Sequence, residues 1–139
     1  MTTHPATRRP SLSPAAHRVL WVLQILLGLF FVAASALPKL FGEATAVEIF
    51  TEIGAGQWLR YAIGLLELAG GIGLLLRRFA GPAAAGLVLL MIGAALTQAF
   101  VLDGGLLILT PIVLGLLCAL IGYGRRDTPV RHGAAGADR

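Results

Sequence analysis

Glu67 is the residue with the most chemistry to offer, because it stands in a run from Leu59 to Leu76 that is otherwise almost wholly apolar. A carboxyl in such a setting can exchange a proton, hold a ligand, or fix a neighbouring helix through hydrogen bonds. Arg60 lies one heptad earlier and so shares the face of Glu67, about 10 Å away along a helix axis. Lys39, at the end of the preceding apolar run, approaches from the same boundary. The three outline a funnel from Lys39 and Arg60 down to Glu67. With no cation in contact, a carboxyl buried there would keep its proton and act as a hydrogen-bond donor. Gln24 in the first apolar run and Gln98 in the third are further ligand-binding or proton-exchange candidates. For Gln24, Thr97 and Thr110 packing is the simpler role. For Glu67 the alternative is a bond to Gln98, Thr97 or a backbone carbonyl that only fixes helix packing, and the residues leave both readings open.

Other chemistries lack their residues. His4 and His17 precede the first apolar run and His132 follows the last, so no apolar segment carries an imidazole for a buried haem. Cys118 is the single cysteine, which excludes an internal CxxC relay or a thiolate set for an iron–sulfur cluster. There is no phosphate-binding glycine loop of the P-loop or dinucleotide type. No catalytic residue and no metal site are assigned.

The elements that must position Glu67 follow from composition. Of 139 residues, 57% are hydrophobic and 13% charged, and the mean hydropathy is +0.83. A water-soluble domain has a smaller apolar share and about twice the charge. Four apolar segments, about 19–37, 59–76, 79–102 and 106–123, are each long enough to span as a helix, so the expected fold is an all-α bundle of four transmembrane helices. An acidic residue at midplane costs about 2.5 to 3.5 kcal/mol, against about −0.3 to −0.6 for each Leu or Ile. The nine Leu and Ile residues between Leu59 and Leu76 roughly cancel Glu67, and that helix needs neighbours. Pro82 fits a first helical turn, and Pro111 falls inside the fourth span, where a kink is expected.

Charge sets the orientation. Arg8, Arg9, Arg18, Arg77, Arg78, Arg125, Arg126, Arg131 and Arg139 fall on one side of the four spans, and only Lys39 and Arg60 on the other. The positive-inside rule then makes both termini cytoplasmic, in a bacterial-type cytoplasmic membrane. The net charge of +4 reflects topology and anionic lipid rather than nucleic acid. Residues 1–18 and 124–139 are expected to be cytoplasmic tails. In the first external loop, Thr45-Ala46-Val47-Glu48 has capping-box spacing. A short amphipathic helix is expected from there to Gly54, with Val47, Phe50 and Ile53 on its apolar face. Arg8-Arg9, an apolar run and Ala34-Ser35-Ala36 also have the three regions of a cleavable signal peptide, but the run is longer than usual and continues to Lys39, which favours a retained span.

With the spans placed, the sequence resembles the DoxX-like family of small four-helix membrane proteins. The resemblance rests on Gly28 in the first span, Lys39-Leu40 at its end, Phe50 and Gly54 in the loop, and Gly64-x-x-Glu67-x-x-Gly70-Gly71 followed by Leu74-Leu75. It implies, for some members, association with sulfur or thiol oxidation and quinone-linked complexes. The chain is then expected to be a non-catalytic membrane subunit or scaffold of a redox or stress-response complex, with membrane or soluble oxidoreductases as partners. A quinone or lipid pocket near Glu67 would need only an apolar cleft and a few polar groups. The alternative is a proton-coupled small-molecule transporter using Glu67. Gly28, Gly64, Gly70 and Gly71 are expected to permit close helix approach. Gly93 and Thr97 have the spacing of a packing face, through which a homo-oligomer could form.

Overall fold

The computed structural model describes residues 13–126, and among them the chain is all helix and turn. Helix α1 runs over Pro14–Phe41, α2 over Ala44–Ile53, α3 over Gln57–Leu75, α4 over Ala80–Phe100 and α5 over Gly105–Arg125. Every one of these except α2 is long and apolar enough to cross a membrane. Val22, Leu26, Leu65, Leu66, Leu89, Leu116 and Leu120 all point outward and are exposed. A shell of that kind suits lipid and not water. Inside, Leu27, Phe31, Leu74, Leu87, Met91 and Ile121 form the core where the spans meet, and Cys118 packs there as a small apolar residue.

Local chemistry sets the helix ends. Ser13 caps α1, its hydroxyl accepting from the Ala16 amide at 3.2 Å, with Pro14 at the first helical position. The expected end of the first span at Leu37 is not where the helix stops. A π-helical stretch over Phe30–Ala36 carries it past Pro38 to Phe41. Pro38 has no amide to donate and its ring crowds the carbonyl four residues back. The wider register, in which the Leu37 amide reaches back to Val32, takes up that misfit and re-phases the last turn. Gly42, at φ 72°, closes α1 in the left-handed conformation, and Gly54, at φ 75°, does the same for α2.

Helix α2 is present, but its cap differs from the expected one. Glu43, not Thr45, is the N-cap: its carboxylate accepts from the amides of Thr45 at 3.1 Å and Ala46 at 3.2 Å. These bonds, that of Thr45 first, hold the Glu43 carboxyl below its ordinary pKa. Ala46 and Phe50 are its buried residues, with Val47 and Ile53 half-buried and Glu48, Thr51 and Glu52 exposed. Pro111 does not sit in a helix interior. A 3-10 turn over Gly105–Ile108 precedes the α-helical part of α5, which leaves Pro111 in the first α-helical turn, where the missing amide is tolerated. Between α4 and α5, Asp103 adopts φ 46°, and the Gly104 amide bonds the Gln98 carbonyl at 3.0 Å.

Helices α1 and α3 run antiparallel and nearly touch. A Cβ on Gly28 would lie 3.0 Å from the Gly71 carbonyl oxygen, and one on Gly71 would lie 3.0 Å from the Gly28 carbonyl oxygen. Two turns back along α3, toward the end of α1, Gly64 faces the Lys39 Cβ and the Leu40 side chain, where an added methyl would stand 3.2 Å and 3.1 Å away. Gly70 makes the same kind of room for Leu87 of α4. Small residues at these crossings permit the backbone approach on which membrane helix packing depends.

Candidate functional site

Glu67 lies near the middle of α3, 3% exposed, and its partner is Lys39. Lys39 Nζ stands 2.9 Å from Glu67 Oε2. The same ammonium donates to the Ser35 carbonyl and the Ser35 hydroxyl, each at 3.1 Å. Ser35 thus takes two of the three donors of the ammonium. Among the described residues Glu67 Oε2 has no hydrogen bond: the ammonium meets it as an ion pair without hydrogen-bond geometry. The premise of an isolated carboxyl therefore does not hold: a cation is in contact.

Two features of the fold make this contact. Gly64 has no side chain to hold Lys39 off α3, and the π-helical stretch with Pro38 sets the face on which Lys39 emerges. Ser35 lies within that stretch, one turn before Lys39.

Arg60 does not aim at Glu67. It is 4% exposed, its guanidinium donates to the Lys39 carbonyl, and its Nε donates to Gln57 Oε1 at 2.7 Å. The Tyr61 ring lies 4.2 Å from the guanidinium carbon, in cation–π range. Arg60 thereby ties off a carbonyl in the last turn of α1, at the negative end of the helix dipole. Gln57, which the sequence reading missed, donates in turn to the Val47 carbonyl at 3.2 Å and the Thr51 hydroxyl at 3.0 Å on α2. The funnel is thus a closed polar chain. It runs from α2 through Gln57, Arg60 and Lys39 to Glu67, joining α2, the end of α1 and the middle of α3.

The remaining candidates lie elsewhere. Gln98 stands at the α4–α5 turn, and Thr97 bonds the Gly93 carbonyl of its own helix at 2.9 Å, so Glu67 draws its contact from neither. Gly93 has nothing within 4 Å of where its Cβ would be, and its face looks outward. Thr110 is exposed on α5. Gln24 is fully buried at the opposite end of the bundle from Lys39. Its amide donates to the Leu74 carbonyl of α3, and its Oε1 accepts from Arg125 Nε at 2.8 Å. Trp21 flanks that guanidinium at 5.1 Å. This second polar cluster joins α1, α3 and α5. In the sequence Arg125 is only a flanking charge; a long-range contact across 101 positions leaves no local signal.

Two clefts open along the α4–α5 seam, and neither is lined by Glu67, Lys39 or Arg60. No metal-binding group of three or more His, Cys, Asp or Glu side chains occurs among the described residues.

No curated protein and no solved structure matches the chain. A model of the DoxX-like family matches residues 22–121, from the first turns of α1 almost to the end of α5 and so across the whole polar chain from Glu67 to α2. This four-span membrane protein belongs to the DoxX-like family.

Proposed function

We propose that the chain is a non-catalytic membrane subunit or scaffold of a redox or stress-response complex, in which the buried carboxylate is structural. The observation that carries this reading is the ion pair inside the bundle: the Lys39 ammonium, anchored on Ser35 of its own helix, lies 2.9 Å from Glu67 Oε2 and offsets the buried charge where α1 crosses α3. Through Arg60 and Gln57 the same network seats α2 on the bundle and leaves Glu48 and Glu52 exposed on it. A rigid outer platform of that kind suits a protein whose work is to hold a partner. Electron carriers, quinone included, belong to the partner under this reading. The excess of arginine at the end of the bundle holding Arg77, Arg78, Arg125 and Arg126 supports an orientation with both termini cytoplasmic.

Crosslinking in native membranes, followed by identification of what copurifies, tests the proposal. Recovery of soluble or membrane oxidoreductases is the expected result. A chain recovered alone, which in liposomes releases protons on substrate addition and loses that release in Glu67→Gln, would establish the transport alternative instead.

A further inference from the structure

The face of the bundle remote from Lys39 and Glu67 has an unused feature. A cleft of about 880 Å³ between α4 and α5 is lined by Gly81, Ala84, Ala85, Cys118 and Gly122, with Arg125 and Arg126 at one end. A second cleft of about 280 Å³ is wholly apolar and is lined by Met91, Ile92, Ala95, Pro111 and Gly115. Both are bounded by Val88 and Ala119, so they are two stretches of one groove. Its length along α5, from Arg126 to Pro111, is about 22 Å at the helical rise. One leaflet of a hydrocarbon core of about 30 Å accounts for about 15 Å of that.

The ends of the groove differ in charge. At one, Arg126 is exposed, Tyr123 is 72% exposed at the rim, and Arg125 is held in place by Gln24 Oε1 and Trp21. Arg77 lies near enough for its like charge to bear on Arg125, and Arg78 stacks on the Phe79 ring at 4.7 Å. The other end has no charge among its lining residues. An arginine cluster above an apolar slot, with an aromatic at the rim, is the arrangement that selects an anionic headgroup and an acyl chain together. A second copy of this chain fits the slot less well. Parallel copies meeting across it would gather Arg125 and Arg126 of both at one mouth without an anion to offset them.

We infer that the α4–α5 groove is a binding site for one anionic glycerophospholipid, its phosphate at Arg126 beside Arg77 and Arg78 and one acyl chain laid along Ala85, Val88 and Ala119. The site is independent of the scaffold reading and of the Lys39–Glu67 pair.

The test uses the full chain, purified in mild detergent, stripped of lipid and offered phosphatidylglycerol and phosphatidylcholine of matched chains, with bound lipid counted by native mass spectrometry. One phosphatidylglycerol per chain, held in preference to phosphatidylcholine and not displaced by inorganic phosphate, is the expected result. Arg126→Gln lowers the preference about fivefold, which corresponds to about 1 kcal/mol. Ala119→Phe, at an exposed position on the groove floor, removes lipid of either headgroup; Ala85→Leu does the same should the larger change disturb the fold. Equal retention of the two lipids, an unchanged preference in Arg126→Gln, or full binding in a folded groove-filled variant overturns the assignment. So does efficient disulfide crosslinking of Ala119→Cys chains in membranes, which would give the groove to a second copy.

Discussion

At the scale of the residue, Glu67 and Lys39 exchange two problems for one solution. Each alone is an expensive charge in a low-dielectric span, and together they form an ion pair whose ammonium is anchored by Ser35. Removing one partner leaves the other charge buried, which costs about 3 to 5 kcal/mol, whereas replacing both with apolar side chains is about neutral. Glu67→Gln should therefore destabilise the bundle by that amount in detergent unfolding, and Lys39→Met/Glu67→Met should recover most of the loss. A loss in the double variant equal to the sum of the losses in Lys39→Met and Glu67→Met would show that the two charges are not coupled. Glu43 offers a pH test outside the membrane. Its carboxyl titrates below the ordinary value in the folded state, so its stabilisation of α2 is complete above about pH 4.5 and is lost as pH falls through the lowered value. The protection of the Thr45 and Ala46 amides, measured against their intrinsic exchange rates, should fall on acidification below that point, and in Glu43→Ala it should be low at all pH values. Glu67 and Lys39 were both legible in the sequence as candidates, because an ionised residue within or at the edge of a span is conspicuous. Their contact was not, since it needs the side-chain reach across α1 and α3 that only packing fixes.

At the scale of the element, the glycines divide into two kinds that look alike in sequence. Gly28 and Gly71 lie where the backbones of α1 and α3 almost meet, while Gly93 faces open space. Gly71→Ala must push Val32, Phe31 and the Gly28 carbonyl aside, and an overpacked contact of this kind costs about 1 to 3 kcal/mol. Gly93→Ala meets nothing and should be neutral or stabilising by up to about 1 kcal/mol from helix propensity. Parallel thermal unfolding of the two variants separates these outcomes; equal effects would refute the close crossing. The four spans were readable because length and apolarity suffice to mark them. Their details were not. Pro38 reads as a stop, and only the π-helical register before it explains how α1 continues to Phe41. Thr45 has the spacing of a capping box, yet Glu43 starts α2 because its longer side chain reaches the two free amides first.

At the scale of the whole molecule, two polar clusters at opposite ends pin the bundle. Glu67, Lys39, Arg60 and Gln57 join α1, α2 and α3 at one end, and Gln24 with Arg125 joins α1, α3 and α5 at the other. In a membrane, where lipid is as apolar as leucine, such contacts and small-residue crossings are what specify one arrangement of helices. The family could be read from Gly64, Glu67, Gly70 and Gly71 in order. The second cluster could not, because its members stand 101 positions apart and arginine at a span end is ordinary. The central claim is that the buried carboxylate holds the scaffold together and takes no part in a reaction. It is tested most directly by partner recovery from crosslinked native membranes carrying Lys39→Met/Glu67→Met in place of the natural pair. The same oxidoreductase partners at wild-type yield are expected. Their loss from a variant that is folded and present at normal level would contradict it.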